Sequence, residues 1–254
     1  MTEPAALSTA PVAGGPSRHV PVHELVSGIA GRYPHRTAIE AGDRGVSYAE
    51  LEARAHGLAA LLRSPKGTRV AVLSEDPLVV IPALLAILKN GGVFVPLDPQ
   101  LPERRLARML GEVSAGWLLV EPGLAGLGER LAAAAGRPRC FVLDEQMAIP
   151  IGVPEPVTPV AQQPDDPCYV YFTSGSTGSP KGIVGRLKGI DHFVRWEIST
   201  LGIEAGTRVS QLTIPTHDPF LRDVFVPLCA GGTVCAPPDH VSRLDPGRLV
   251  SWLD

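Results

Sequence analysis

Residues 69–97 read RVAVLSEDPLVVIPALLAILKNGGVFVPL, and this stretch decides the fold class. Arg69 to Ser74 is a β-branched run bounded by Gly67 and by Asp76-Pro77, the pattern of a strand buried on both faces. Leu78 to Leu88 is long enough for a helix, Gly91-Gly92 stops it, and Val93-Phe94-Val95 opens a second strand ending at Pro96-Leu97-Asp98-Pro99. Strand, helix and strand within about 30 residues make a βαβ unit.

The alternation continues on both sides. Downstream, the spacing predicts a helix over 102–113, a strand at Trp117–Val120, a helix over 126–135 and a strand at Cys140–Leu143. Upstream, Val22, Leu25, Val26 and Ile29 share one helical face, and Thr37–Glu40 suits a short strand. Ser47 with Glu50 three residues later forms a capping box for a helix running to Leu62. The expected fold is α/β, with mainly parallel sheets flanked by helices. Residues 1–19, rich in Ala, Pro, Gly and Ser, are expected to be a flexible tail or linker. Residues 149–167 hold six prolines and no period. They predict a Pro-rich connection over 151–167 between two α/β sub-structures, 20–150 and 168–254, with a domain seam there. Past it come strands at Tyr169–Phe172, Val209–Leu212 and Thr233–Ala236, helices over 189–200 and 220–228, and the start of another helix at Arg248–Leu253. The second sub-structure is expected to be incomplete at its C-terminal end.

Composition narrows the function classes. In 254 residues, 44% apolar content is enough for a substantial core, and 27 glycines with 26 prolines imply many turns. Basic and acidic side chains number 23 and 26, so no general field draws the chain to nucleic acid or anionic lipid, and neither is an expected partner. Cys140, Cys168, Cys229 and Cys235 form no CxxC pair and no zinc spacing, as in buried thiols of a reducing compartment, and no metal ligand is assigned. The most apolar run, Pro77–Leu88, is too short to span a bilayer and is broken by Pro82, and no leader pattern is visible. The expected location is the cytoplasm.

Chemistry concentrates where an apolar strand, Tyr169–Phe172, runs into Thr173-Ser174-Gly175-Ser176-Thr177-Gly178-Ser179-Pro180-Lys181-Gly182. Glycines let a backbone approach a polyanion, hydroxyls and amides donate to its oxygens, and a lysine supplies charge. The order is not that of the Walker P-loop, since Pro180 stands where the second glycine should and Gly182 follows the lysine. On composition alone, a flexible surface loop remains the other reading.

The ten residues TSGSTGSPKG resemble the phosphate-binding signature of the adenylate-forming enzymes: acyl-CoA synthetases, luciferases and the adenylation domains of nonribosomal peptide synthetases. Val46-Ser-Tyr-Ala-Glu-Leu51 is similar to that family's "L-T/S-Y-x-E-L" start, and Leu88–Pro99 with Leu101–Leu106 to its "LKAGGAYVPLDPxxPxxRL" run. In the latter, proline and aspartate are read as a strand end and helix entry. Pro215–Phe225 falls where peptide synthetases have "F-D-x-S-x-x-x-x-F", whose aspartate pairs with the substrate α-ammonium. Asp218 matches that aspartate, while His217 replaces the aromatic and Phe220 the serine. Asp218 keeps a second reading as a helix N-cap, and His217 is assigned no catalytic role.

The resemblance implies the first half of the large N-terminal subdomain of an adenylate-forming enzyme. It implies ATP and Mg2+ as cofactors, the main metal ligand lying in a portion beyond this chain. Thr173, Ser174, Gly175, Ser176, Thr177, Gly178, Lys181 and Gly182 would bind nucleotide, Lys181 and Thr173 would act in catalysis, and Asp218 would bind substrate. The implied partners are an amino acid, a phosphopantetheinyl carrier protein, the missing C-terminal half and a small MbtH-like helper. An acyl- or aryl-acid-CoA ligase relative, or a non-catalytic split half acting as a binding module, are the alternatives. A half-domain is expected to be inactive without the missing portion and to associate in isolation.

Overall fold

The computed structural model describes residues 19–143, 160–174, 180–238 and 245–253, the side chain of Ser174 excepted. The expected tail up to residue 18 and the connection through residue 159 lie outside them. The elements are α1 (Val22–Arg32), β1 (Thr37–Ala41), β2 (Arg44–Ser47), α2 (Tyr48–Leu62), β3 (Arg69–Leu73), α3 (Pro77–Lys89), β4 (Val93–Leu97), α4 (Glu103–Glu112), β5 (Trp117–Val120), α5 (Ala125–Ala134) and β6 (Arg139–Val142). They continue with β7 (Pro167–Ser174), β8 (Pro180–Arg186), α6 (Leu187–Leu201), β9 (Arg208–Ser210), α7 (Pro219–Ala230), β10 (Thr233–Ala236) and α8 (Pro246–Leu253).

Among the described residues two sheets form, ordered β6-β5-β3-β4-β7-β8 and β2-β1-β10-β9. Pairing is parallel throughout except at two edges, β7 with β8 and β1 with β2. The α/β class with mainly parallel sheets therefore stands. The arrangement of sub-structures differs from the expectation. β7 joins the six-stranded sheet beside β4, and β1 pairs with β10, Ile39 opposite Val234. Each sheet draws strands from both sides of the Pro-rich segment, so the seam expected at 151–167 does not separate two consecutive sheets. The local signals were right, but pairing is decided by which faces bury each other, and that choice leaves no mark within a ten-residue window.

α3 explains why the sheets share one core. Every residue from Pro77 to Leu88 is buried, as befits a helix without a polar face. It touches β1 of one sheet and β3 and β4 of the other. Val70, Val72 and Phe94 turn toward this side, whereas Ala71, Leu73, Val95 and Leu118 turn toward Leu106, Met109 and Leu110 of α4 and Leu131 of α5. The helix starts on Asp76, whose carboxylate accepts from the Leu78 amide at 3.0 Å, with Pro77 at the first helical position. It ends in a Schellman motif: Gly92 donates to the Ile87 carbonyl at 2.9 Å, Gly91 to the Leu88 carbonyl at 2.9 Å, and Gly91 has φ +65°. The expected capping box is present too, with the Ser47 amide donating to Glu50 Oε2 at 2.8 Å and the Glu50 amide to Ser47 Oγ at 3.3 Å.

β2 and β8 were not anticipated. Both are edge strands with exposed residues, so neither shows the buried alternation that marks a strand in sequence. Among the described residues no helix is long and apolar enough to cross a membrane. All four cysteines are free; Cys168 and Cys235 are buried, and burial pushes the thiols of all four up.

Candidate functional site

β7 enters the molecule as an interior strand and leaves it as one arm of a hairpin. Tyr169 pairs with Phe94 of β4, and from there Phe172 faces Gly182, Thr173 faces Lys181 and Ser174 faces Pro180. The expected bend between Phe172 and Ile183 is thus narrower, because Thr173 and Ser174 belong to β7 and Lys181 and Gly182 to β8. Gly175, Ser176, Thr177 and Gly178 lie outside the described residues. Thr173 and Lys181 are both exposed, with Thr173 Oγ1 3.5 Å from the Lys181 carbonyl. Lys181 forms no ion pair with another described residue. A β-carbon on Gly182 would come within 3.1 Å of Val170 Cγ1.

The hairpin is fitted around an aromatic ring. Tyr169 lies against Gly185, where a β-carbon would sit 1.8 Å from Tyr169 Cζ, so only glycine admits the ring. Phe94 and Tyr171 flank it at ring-centre distances of 5.9 and 5.1 Å, the latter edge-on. The Tyr171 hydroxyl is buried without a partner among the described residues. Burial, then Tyr169, then Asp218 push its pKa well up, so it stays protonated.

Tyr169 also lines a cleft of about 310 Å³ between α6 and α7. Tyr169, Ile190, Phe193 and Leu221 are its apolar walls, and Asp218 and Arg222 its charged groups. Asp218 occupies the N-cap position of α7, but its backbone is helical (φ −59°, ψ −32°) and its side chain accepts no capping bond. The N-cap position is real, yet it does not consume the carboxylate. Asp218 is exposed and has no ion pair or side-chain hydrogen bond among the described residues. His217 is also exposed. The loop into α7 is pinned by Asp223, only 5% exposed, whose Oδ2 accepts from the amides of Leu212 at 3.3 Å and Thr213 at 3.1 Å.

Tyr169, Arg222 and Asp223 escaped the sequence reading. The spacing from Asp218 to Arg222, four residues on a helix, was the available sign for the second. Tyr169 and Thr173 share one strand four residues apart, so cleft and hairpin mouth are about 13 Å from each other along β7.

A second cavity, about 410 Å³, lies beside α1, α2 and the end of α3. Lys89 Nζ donates to Ser27 Oγ and Glu52 Oε1, both at 2.7 Å. Burial, with Lys89 and His19 nearby, lowers the His23 pKa to about 3, so that imidazole is neutral at pH 7. Lys89, Glu52 and His56 are engaged with one another, which fits packing. Among the described residues no three His, Cys, Asp or Glu side chains converge as a metal site would need.

A family model described as AMP-binding enzyme matches residues 28–254. AMB antimetabolite synthetase AmbB of Pseudomonas aeruginosa is 37% identical over 222 residues, 86% of this chain and 17% of that protein. Tyrocidine synthase 3 of Brevibacillus parabrevis is 31% identical over 232 residues, covering 90% of this chain but 4% of the synthase. Among solved structures, the nonribosomal peptide synthetase FmoA3 bound to α-methyl-L-serine-AMP superposes with a TM-score of 0.79 at 29% identity, over 94% of this chain and 26% of that one. Its AMPPNP-bound form gives 0.75 at 30% identity, over 90% and 24%. The chain therefore spans a small part of the length of each of these relatives.

Proposed function

The chain belongs to the AMP-binding enzyme family, and on that premise we propose that it contributes the phosphate-gripping hairpin and one wall of the amino-acid site to an adenylation domain in nonribosomal peptide synthesis. The observation that carries the reading is that β7 bears both Tyr169 of the cleft and Thr173 at the hairpin mouth, with the Asp218 carboxylate unpaired on the cleft wall.

In the proposed reaction a carboxylate oxygen of the amino acid attacks the α-phosphorus of ATP. The bond from that phosphorus to the bridging oxygen breaks, and pyrophosphate leaves with the electron pair. Asp218 holds the α-ammonium by a charge-assisted contact, which separates amino acids from plain acids. Thr173, Ser174, Gly175, Ser176, Thr177, Gly178, Lys181 and Gly182 are the proposed nucleotide-binding residues, the Thr173 hydroxyl donating to the leaving phosphates and the Lys181 ammonium offsetting their charge. Mg2+ accompanies the nucleotide as a charge-neutralising ion, and we assign no residue of this chain to it. The thiol of a phosphopantetheinyl carrier protein then attacks the acyl carbon, the bond from that carbon to the phosphate oxygen breaks, and AMP leaves as the thioester forms. The remainder of the domain and an MbtH-like helper complete the proposed partners, in the cytoplasm.

The test is pyrophosphate exchange by this chain joined to the remaining portion of an adenylation domain. Lys181→Ala is expected to slow exchange by ten- to a thousandfold at unchanged melting temperature. Asp218→Ala is expected to raise KM for amino acids while sparing KM for ATP. Equal rates with and without Lys181 would remove it from this role. A preference for acids lacking an α-ammonium would assign the chain to the acyl- or aryl-acid-activating relatives, and absence of exchange would favour a binding module.

A further inference from the structure

Tyr171 carries a polar group that the proposed reaction leaves unused. Side chains alternate along β7, so Tyr171 points to the same side as Tyr169 of the cleft and Thr173 of the hairpin mouth, while Val170 and Phe172 pack on the α4 side. The residue is 7% exposed, and its ring meets that of Tyr169 edge-on at 5.1 Å. Its hydroxyl is buried and has no hydrogen-bond partner among the described residues. Tyr48, also buried, shows the ordinary arrangement: its Oη donates to the Gly232 carbonyl at 2.7 Å, with that of Leu228 at 3.2 Å. Burying a hydroxyl without a partner costs stability that a phenylalanine in the same place would not. A group kept at that cost has its partner in another state of the site.

We propose that Tyr171 is a positioning residue for Asp218: when an amino acid enters the cleft, the Asp218 carboxylate turns inward, one oxygen accepting from the Tyr171 hydroxyl and the other from the substrate α-ammonium. The inference rests on the adenylation reading and adds to that site a residue from behind the cleft wall. Three observations support it. Asp218 shares the cleft with Tyr169, the ring on which Tyr171 rests. Its carboxylate has no ion pair or side-chain hydrogen bond among the described residues, so it is free to take a new donor. Burial, then Tyr169, then the charge of Asp218 keep the Tyr171 phenol protonated, so it can donate. The gain is in order and charge. An exposed carboxylate meeting an ammonium in water gains little, since the pair is screened and the side chain must be fixed from several rotamers. A donor on the buried side fixes the carboxylate in one of them through a charge-assisted bond.

The experiment measures pyrophosphate exchange by the joined domain with the amino acid it activates best, for the unaltered protein, Tyr171→Phe, Asp218→Ala and the double variant, together with their melting temperatures. Tyr171→Phe removes one oxygen and keeps the ring. It is expected to lower kcat/KM for the amino acid about tenfold, mostly through KM, and to leave KM for ATP unchanged. Its melting temperature should stay level or rise, because the free protein loses no hydrogen bond. In the Asp218→Ala background the same change should alter kcat/KM by less than about twofold, since both residues act through one contact. Losses that multiply in the double variant overturn the inference. So do an unaltered KM for the amino acid, an equal rise in KM for ATP, or a melting temperature lowered by several degrees, which would mean that the hydroxyl is already bonded. Each of these leaves the adenylation reading standing. Absence of exchange in the unaltered domain overturns that reading and this inference with it.

Discussion

α3 and α7 both begin on Asp-Pro and both carry a second proline inside, yet they put the aspartate to opposite uses. Asp76 has an extended backbone (φ −70°, ψ 115°), which swings its carboxylate back over the Leu78 amide, and it also pairs with Arg44 at 2.8 Å. Asp218 follows a tight turn in which the His217 amide donates to the Ile214 carbonyl, so its own backbone is already helical and its side chain cannot reach a helix amide. One aspartate is spent on holding a helix; the other stays available in a cleft. A residue type in a motif therefore has a function only when the local backbone leaves its chemistry unspent.

The widest gap between the two regions is expected in packing. Leu84 is fully buried in α3, so Leu84→Ala should lower unfolding free energy by about 2–5 kcal/mol in a denaturant titration. Phe193→Ala at the cleft rim, where the ring is 38% exposed, should cost less than about 1.5 kcal/mol. Equal losses would erase the distinction between a supporting core and a working surface.

Acid should strike the α3 side through His23. Its folded pKa, about 3, lies below the ordinary 6.5, so between those values the unfolded chain binds more protons. The stabilisation from keeping His23 neutral is full above pH 6.5 and is lost as pH falls toward 3. At pH 5 the loss is about 2 kcal/mol. Melting curves from pH 7 to 5 should fall, and His23→Gln should flatten them; an unaltered slope in that variant would take His23 out of the account.

The smallest effect probes the two aspartates directly. Asp76→Ala should cost about 1 kcal/mol for the lost cap, and Asp218→Ala less than about 0.5 kcal/mol. A stability loss at Asp218 matching that at Asp76 would mean that both are structural caps.

Much of this was legible in the residues. The run from Arg69 to Leu97 announced strand, helix and strand because burial on both faces leaves no polar periodicity, and Asp76, Ser47 and Gly91-Gly92 marked helix ends through contacts only a few residues long. Asp218 was visible for the same reason, as was the Gly/Ser/Thr stretch closing on Lys181. β8 was not, because Ile183 and Val184 stand exposed on an edge where no alternation is required.

By itself the sequence determined every element but the exposed edge strands β2 and β8, the order of those elements and the residue types offered for chemistry, since each depends on neighbours within one or two turns of chain. Tertiary structure alone decided that β1 would find β10 across nearly two hundred residues, that Tyr169 would lie on Gly185, and that Arg222 would anchor on Glu197 while facing the same cleft as Asp218. Those outcomes follow from competition among apolar faces for burial and among charges for partners, and such competition is settled only once the chain has closed on itself.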